Sequence, residues 1–377
     1  MNIDKTWVEI DHGKVLNNFN QFRKRVGNRV KIAAVVKANA YGHGIENVVK
    51  ILKNKADYFA VDSLMEALVV REISNKPVLI LGCTPKLALS ELVEAGFEQT
   101  IFSFEELREL QLVSEKLQIP ARIHLEIETG TSRNGILFTE LEKYLKFIKK
   151  HDNLKLVGVF THYANIEDTT NHKYAEKQLK SYSQAIELID KYGFEDYQKH
   201  TACSAAGILF KNTFFNMIRL GISLYGMWPS KETKISAENE NIRIKLTPAI
   251  SWKTRIAHLK EVPARTFIGY GCSEQVERKT KIAVIPVGYY EGFDRKFSHV
   301  GEVLVRGKRC RVLGRVCMNM TIIDVSSAKG VKIGDEVVLL GKQKSNELSA
   351  EMLAQKINTI NYEITTRINP LIKRIII

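Results

Sequence analysis

The stretch "KIAAVVKANAYGHG" (Lys31 to Gly44) runs from an apolar, strand-type segment into a lysine and then directly into a turn carrying Asn39, Tyr41, Gly42, His43 and Gly44. An ammonium at the tip of a buried strand costs free energy unless it is paired, reaches water or gives up its charge. In the last case Lys37 becomes a nucleophile able to attack an aldehyde and form a Schiff base. Arg133 in "TSRNG", His162 in "FTHYAN", Ser204 in "TACSAAG" and Arg219 with Gly221 in "MIRLGI" are the other side chains with chemistry to offer. Each has a plain reading: a lysine reaching solvent, a satisfied core histidine, an arginine in a buried structural ion pair.

Position weighs against those plain readings. From residue 30 to about 225, short Val- and Ile-rich runs alternate with longer segments of helical period, the sign of successive βα units around a parallel sheet. The runs are "KIAAVV", "YFAV", "VLILG", "TIFS", "RIHLEIE", "LVGVFTHY", "HTAC" and "MIRLGI". Eight is the number that closes a barrel. The expected fold is an N-terminal (β/α)8 TIM barrel over residues 1–235, followed by a smaller, mainly β domain over 236–377. In a barrel, functional side chains leave from the carboxyl ends of the strands. Lys37, Arg133, His162, Ser204 and Arg219 all fall there, so they converge on one mouth. Such a set suits pyridoxal 5'-phosphate, which needs an amine for its aldehyde, a group at its ring nitrogen and donors for its phosphate. The Ser204 hydroxyl, the Tyr41 phenol and the backbone amides around Gly221 and Ile222 could supply those donors.

Between the runs lie helix candidates, and "SFEE" carries a capping box with Glu106 at the third helical position. The amphipathic "DHGKVLNNFNQFRKRVG" precedes the first barrel strand, placed to plug or flank it. After about residue 235 the polar "KETKISAENENIRIK" gives way to closely spaced strand patterns punctuated by Gly, Pro and Asp, with one late helix, "SAEMLAQKIN".

Composition narrows the class. Five cysteines in a 377-residue chain, without CxxC spacing, argue against a disulfide framework or a zinc ribbon, and no metal site is expected. The opening residues carry charge where a secretory leader is apolar, and no apolar run is long enough to span a bilayer. A cytoplasmic protein without a membrane partner is expected. The net charge of +14 is scattered beside acids and without interleaved aromatics, so a solvated basic face is preferred to a nucleic-acid surface.

Taken together, "AVVKANAYGHG", "ETGTSRNG", "THYA", "HTACSAAG", "RLGISLYG", "IGYG", "IPVGYYEGF", "GRVCMNMTIIDV" and "INYE" resemble, in order and nearly end to end, the alanine racemases of fold type III pyridoxal-phosphate enzymes. The resemblance implies a head-to-tail homodimer that interconverts L- and D-alanine and provides D-alanine for peptidoglycan. It implies that Lys37 is the Schiff-base lysine and one catalytic base, and that Tyr270, from the partner subunit, is the other. Tyr41, Ser204, Gly221, Ile222 and Tyr362 would hold the phosphate, with Arg219 at the ring nitrogen. Arg133 would orient the cofactor and, with the backbone of Met318, the substrate carboxylate; Tyr289 and Arg295 would line the entrance. His162 would link Tyr270 to Arg219.

Departures from the family pattern are expected to matter. Glu126 stands where many relatives have a carbamylated lysine and would supply its negative charge directly. Cys203, Thr131 and Asn319 replace a frequent asparagine, methionine and aspartate. The "SRN" and "MN" fragments favour a broad-spectrum, serine or lysine racemase as the alternative, whereas the bulk of Tyr362 favours small side chains. A same-fold decarboxylase would carry a glutamate in place of Arg219, and a noncatalytic pyridoxal-phosphate carrier would lack the second domain.

Overall fold

The computed structural model describes residues 4–377. Its first strand, β1 (Thr6–Ile10), is followed by a helix, His12–Val26. Then come β2 (Lys31–Val35), β3 (Tyr58–Val61), β4 (Val78–Ile80), β5 (Glu98–Ile101), β6 (Ala121–Glu126), β7 (Leu154–Phe160), β8 (Gln198–His200) and β9 (Met217–Leu220). All but β8 are buried along most of their length, as strands covered on both faces must be.

Hydrogen bonding links β8-β7-β6-β5-β4-β3-β2-β9 in that order, and every neighbouring pair is parallel. Two backbone bonds join the ends, Arg219 N–H to the Ala202 carbonyl (2.9 Å) and Asn216 N–H to that of Lys199 (3.3 Å). The eight expected runs are the eight strands. "HTAC" is displaced, because the strand stops at His200 and the next residues lead into helix Ser204–Leu209.

The connecting helices start where the caps predict. Ser63 and Ser103 accept the Glu66 and Glu106 amides, and the Glu106 carboxylate reaches back to Phe102 N–H at 3.1 Å. Helix His12–Val26 flanks the barrel and does not plug it. Its buried Asn18 donates to the carbonyls of Leu224 (3.2 Å) and Thr247 (3.0 Å) and accepts Thr247 N–H.

The division of the chain differs from a single cut after residue 235. One compact unit holds residues 15–40 and 48–247; the other holds the segment up to Lys14, Tyr41–Asn47 and Pro248–Ile377. Part of the polar stretch read as the domain boundary is a helix, Lys231–Asn239, capped by Ser230. The second unit contains β10 (Ile250–Arg255), β11 (His258–Val262), β12 (Thr280–Ile285), β13 (Glu302–Val305), β14 (Lys308–Leu313), β15 (Thr321–Asp324), β16 (Glu336–Gln343), β17 (Asn346–Leu348) and β18 (Arg374–Ile376). They form one sheet in the order β11-β12-β15-β14-β13-β16-β10-β1-β18, with β17 on β16. Strand β1 belongs here because its backbone finds partners on both sides, antiparallel β10 and parallel β18.

Replacing Asn18 by Ala strands three backbone groups at a buried site and is expected to lower the unfolding free energy by about 2–4 kcal/mol, read from urea denaturation.

Candidate functional site

Strand β2 ends in a backbone conformation that explains the unusual residues after it. Ala38, Asn39, Ala40 and Tyr41 all have φ between 52 and 54°, one turn of left-handed helix built without glycine. Such residues cost roughly 1–2 kcal/mol each, so the turn needs external support. Glu66 supplies part of it. Its Oε1 accepts the amides of Ala38 (2.7 Å) and Asn39 (3.4 Å), while Oε2 accepts that of Asp62 (2.8 Å). The Lys37 side chain is not enclosed by apolar neighbours. It is 38% exposed, and its Nζ lies 3.0 Å from Asp62 Oδ1, so pairing is the way its charge is answered in this structure.

On the neighbouring strand β9, where it pairs with Ala33 of β2, Arg219 is only 5% exposed. Its NH1 donates to His200 Nδ1 (2.7 Å) and the His200 carbonyl (3.0 Å). Its NH2 donates to the carbonyls of Thr161 (2.9 Å) and Thr201 (3.3 Å), with His162 Nδ1 at 3.5 Å. Both terminal nitrogens are therefore engaged, and Nε–H is left without an acceptor among the described residues. The Phe160 ring lies 4.8 Å from the guanidinium carbon. Burial, with Arg219, Arg133 and Lys37 adding repulsion, pushes His162 down to about 3, so its imidazole is neutral.

Ser204 Oγ accepts the amides of Gly221 (3.0 Å) and Ser223 (3.3 Å), which leaves its hydroxyl hydrogen to donate. The Gly221 amide is thus already engaged, whereas Ile222 N–H has no acceptor among the described residues. A donating hydroxyl beside an unanswered amide suits a phosphate oxygen. Cys203, next to Ser204, is held as a neutral thiol, pushed up to about 12 by burial and by Glu167.

Arg133 is exposed and makes no ion pair or hydrogen bond among the described residues. Glu126 is 5% exposed and reaches neither Arg133 nor Arg219 within bonding distance. Burial raises its carboxyl above the ordinary range; Arg219, Arg133 and Lys37 pull it back, and Glu128 adds to the rise. Glu126 therefore gives no direct support to Arg133.

The remaining expected site residues lie in the other unit. The rings of Tyr41 and Tyr362 are 6.0 Å apart. Tyr270 is 72% exposed, between Gly269 (φ 71°) and Gly271 (φ 76°). Met318 is exposed, and Tyr290 N–H donates to its carbonyl (2.9 Å), leaving the Met318 amide unpaired among the described residues. Asn319 donates to Glu291 Oε1 at 2.9 Å, a contact an aspartate could not make.

Comparison with known proteins bears on the same residues. Residues 10–229 match the alanine racemase N-terminal domain and residues 249–376 the alanine racemase C-terminal domain. The chain belongs to the alanine racemase family. It is 39% identical over 377 residues to the alanine racemase of Leptospira interrogans serogroup Icterohaemorrhagiae, covering 99% of this chain and 96% of that one. Among solved structures, alanine racemase of Clostridium difficile 630 superposes with a TM-score of 0.93 at 31% identity, covering 100% of this chain and 97% of that chain. The Bacillus anthracis alanine racemase with bound L-Ala-P does so with a TM-score of 0.93 at 34% identity, covering 100% and 96%. The enzyme is accordingly an amino-acid racemase, an isomerase. No helix among its described residues is long and apolar enough to cross a membrane.

Sequence reading missed Asp62 and Glu66, the acids that answer Lys37 and its turn, and the buried Glu98, His124 and His200. Charged and imidazole side chains inside apolar barrel runs ("EQTI", "RIHLEIE") were the available signal, since such residues are rarely fully buried without partners.

Glu66→Ala removes the acceptor from the left-handed turn and is expected to lower stability by about 1–3 kcal/mol in urea denaturation. His162 gives a pH signature. Unfolded histidine titrates near about 6.5, so the unfolded chain binds the extra proton first and stability falls as pH drops below that value. Urea midpoints followed from pH 7.5 to 5 are expected to fall, and to fall less steeply in His162→Gln.

Proposed function

We propose that the enzyme interconverts L- and D-alanine with pyridoxal 5'-phosphate, as a head-to-tail homodimer whose sites each use Lys37 of one subunit and Tyr270 of the other. The observation carrying this reading is the set of donors the barrel leaves unanswered: Arg219 Nε–H, the Ser204 hydroxyl hydrogen, Ile222 N–H and the Arg133 guanidinium, with the Lys37 amine on the same strand-end rim. One donor for a ring nitrogen, two for a phosphate, a cation for carboxylate or phenolate and one amine make a complementary set. The L-Ala-P bound to the Bacillus anthracis alanine racemase, and the likeness to the Leptospira interrogans alanine racemase, support alanine as substrate.

When bound, the cofactor supplies an aldehyde for amines and an electron sink for charge at the substrate Cα. Racemisation requires a proton to leave one face of that carbon and another to arrive on the opposite face. Lys37 Nζ moves the proton on one face and the phenol of Tyr270 of the partner subunit on the other. Arg219, a permanent cation, donates Nε–H without surrendering it, which limits the sink and curbs side reactions. Ser204 and Ile222, with Tyr41 and Tyr362 by family resemblance, hold the phosphate; Gly221 acts through Ser204. Arg133 and the Met318 amide orient the substrate carboxylate. His162, kept neutral, connects Tyr270 with the positive field of Arg219. Exposed Tyr270, Met318, Met320, Phe267 and Tyr290 give the C-terminal unit an apolar surface suited to a second copy. The D-alanine formed would serve peptidoglycan synthesis in the cytoplasm.

Lys37→Ala and Tyr270→Phe are each expected to abolish or nearly abolish exchange of alanine enantiomers, followed by chiral chromatography with serine, lysine and arginine run in parallel. Refolded as a mixture, the two inactive variants are expected to recover about a quarter of wild-type activity, because half of the dimers carry one intact site of two. Absence of recovery would reject the shared site, and failure of the wild type to exchange any amino acid would reject the racemase assignment to this site.

A further inference from the structure

Below Arg219 the barrel interior holds a continuous hydrogen-bonded chain that the proposed mechanism does not use. His200 Nδ1 meets Arg219 NH1 at 2.7 Å, and His200 Nε2 meets His124 Nδ1 at 3.0 Å. His124 Nε2 meets Glu98 Oε2 at 2.8 Å, and the other carboxylate oxygen, Oε1, accepts both Nε (3.1 Å) and NH2 (2.8 Å) of Arg122. Glu98 is 1% exposed and both histidines 0%, so none of the three can exchange its partner for water.

The two ends fix every proton between them. A guanidinium only donates, so His200 must present a lone pair at Nδ1 and carry its hydrogen on Nε2. That hydrogen requires a lone pair at His124 Nδ1, which puts the His124 hydrogen on Nε2, facing a carboxylate that only accepts. Burial first, and then the charge of Arg219, hold His200 well below the ordinary histidine range. Burial alone would raise the Glu98 carboxyl, but the bonds from His124 and Arg122 prevail and keep it below its usual range.

The fold makes room for this arrangement. Opposite His124 on β7 stands Gly158, where a Cβ would lie 2.0 Å from His124 Nδ1, and the β6–β7 register shifts between Ile123 and His124. A glycine and a register irregularity at one ring are what a strand pair requires to admit an imidazole across the barrel axis.

We propose that Glu98 and His124 are positioning residues for Arg219: they lock the tautomer of His200 so that Arg219 NH1 is always accepted, which holds the guanidinium with its unpaired Nε–H presented to the ligand. This rests on the reading that Arg219 faces the ring nitrogen of pyridoxal 5'-phosphate. Without the Glu98 charge either tautomer order is open, and the reversed order sets His200 Nδ1–H against Arg219 NH1, displacing the guanidinium.

The test uses full-length, histidine-labelled enzyme, with imidazole 15N shifts reporting the tautomers. In the wild type both His124 and His200 are expected to be neutral with hydrogen on Nε2; hydrogen on Nδ1 of either ring overturns the proposal without recourse to any variant. In Glu98→Gln the shifts are expected to change, with pyridoxal 5'-phosphate affinity and kcat for alanine each falling about tenfold and the visible absorption of the bound cofactor altered, while KM for alanine stays near wild type. A Glu98→Gln enzyme equal to wild type in shifts, affinity and kcat overturns the proposal. A wild type with the assigned tautomers that binds no pyridoxal 5'-phosphate instead overturns the reading of the site and leaves the chain standing.

Discussion

The interior of the barrel is organised around one costly object, the buried guanidinium of Arg219. A cation removed from water is tolerated only where acceptors replace its hydration. Here the replacements are three backbone carbonyls, the His200 imidazole with that of His162 at longer range, and the face of Phe160. Each forces a further choice. The carbonyls come from the ends of β7 and β8, so those strands must finish at the same height. The His200 imidazole must be neutral, so its far nitrogen needs an acceptor, and the chain ends only at the carboxylate of Glu98. Negative charge thus reaches Arg219 from Glu98 below it, through the two imidazoles.

The lysine side of the site obeys a different constraint. Four consecutive left-handed residues are unfavourable on their own, yet they turn the chain away immediately after Lys37 and leave the lysine at the strand tip. Glu66 receives amides from both the turn and Asp62, while Asp62 receives the lysine ammonium. Two acids from the β3 loop and the helix after it thus fix both the backbone that follows β2 and the charge of Lys37. Gly82 belongs to the same arrangement, since a Cβ there would lie 2.3 Å from the Asp62 carbonyl.

In the second unit the same economy of contacts appears around residues that stay exposed. Tyr270 sits between two glycines in left-handed conformations, a backbone that other residues adopt only with strain. Gly288 admits the turn carrying Met318, whose carbonyl would lie 2.4 Å from a Cβ at that position. Asn319 completes the shell of buried Glu291, whose second oxygen accepts Gly288 N–H. A neutral amide at 319 is therefore the fitting partner for a carboxylate already present at 291.

Periodicity made the eight barrel strands and most strands of the second unit legible, because burial of both faces of a parallel sheet leaves an unbroken apolar run in the chain. The residues of the rim were legible for a related reason: Lys37, His162 and Arg219 interrupt those runs at their carboxyl ends. The membership of β1 in the second sheet was not legible, since its partners β10 and β18 lie some 240 and 370 residues away and pairing is decided by register and not by composition. The same holds for Asp62 and Glu66 beneath the lysine turn, and for Glu98 and His124 below Arg219. Residue type and order by themselves determined the barrel, the family and the strand-end positions of Lys37, His162 and Arg219; which acids answer which cations was decided only by folding, because a hydrogen bond depends on distance and direction between groups far apart in the chain.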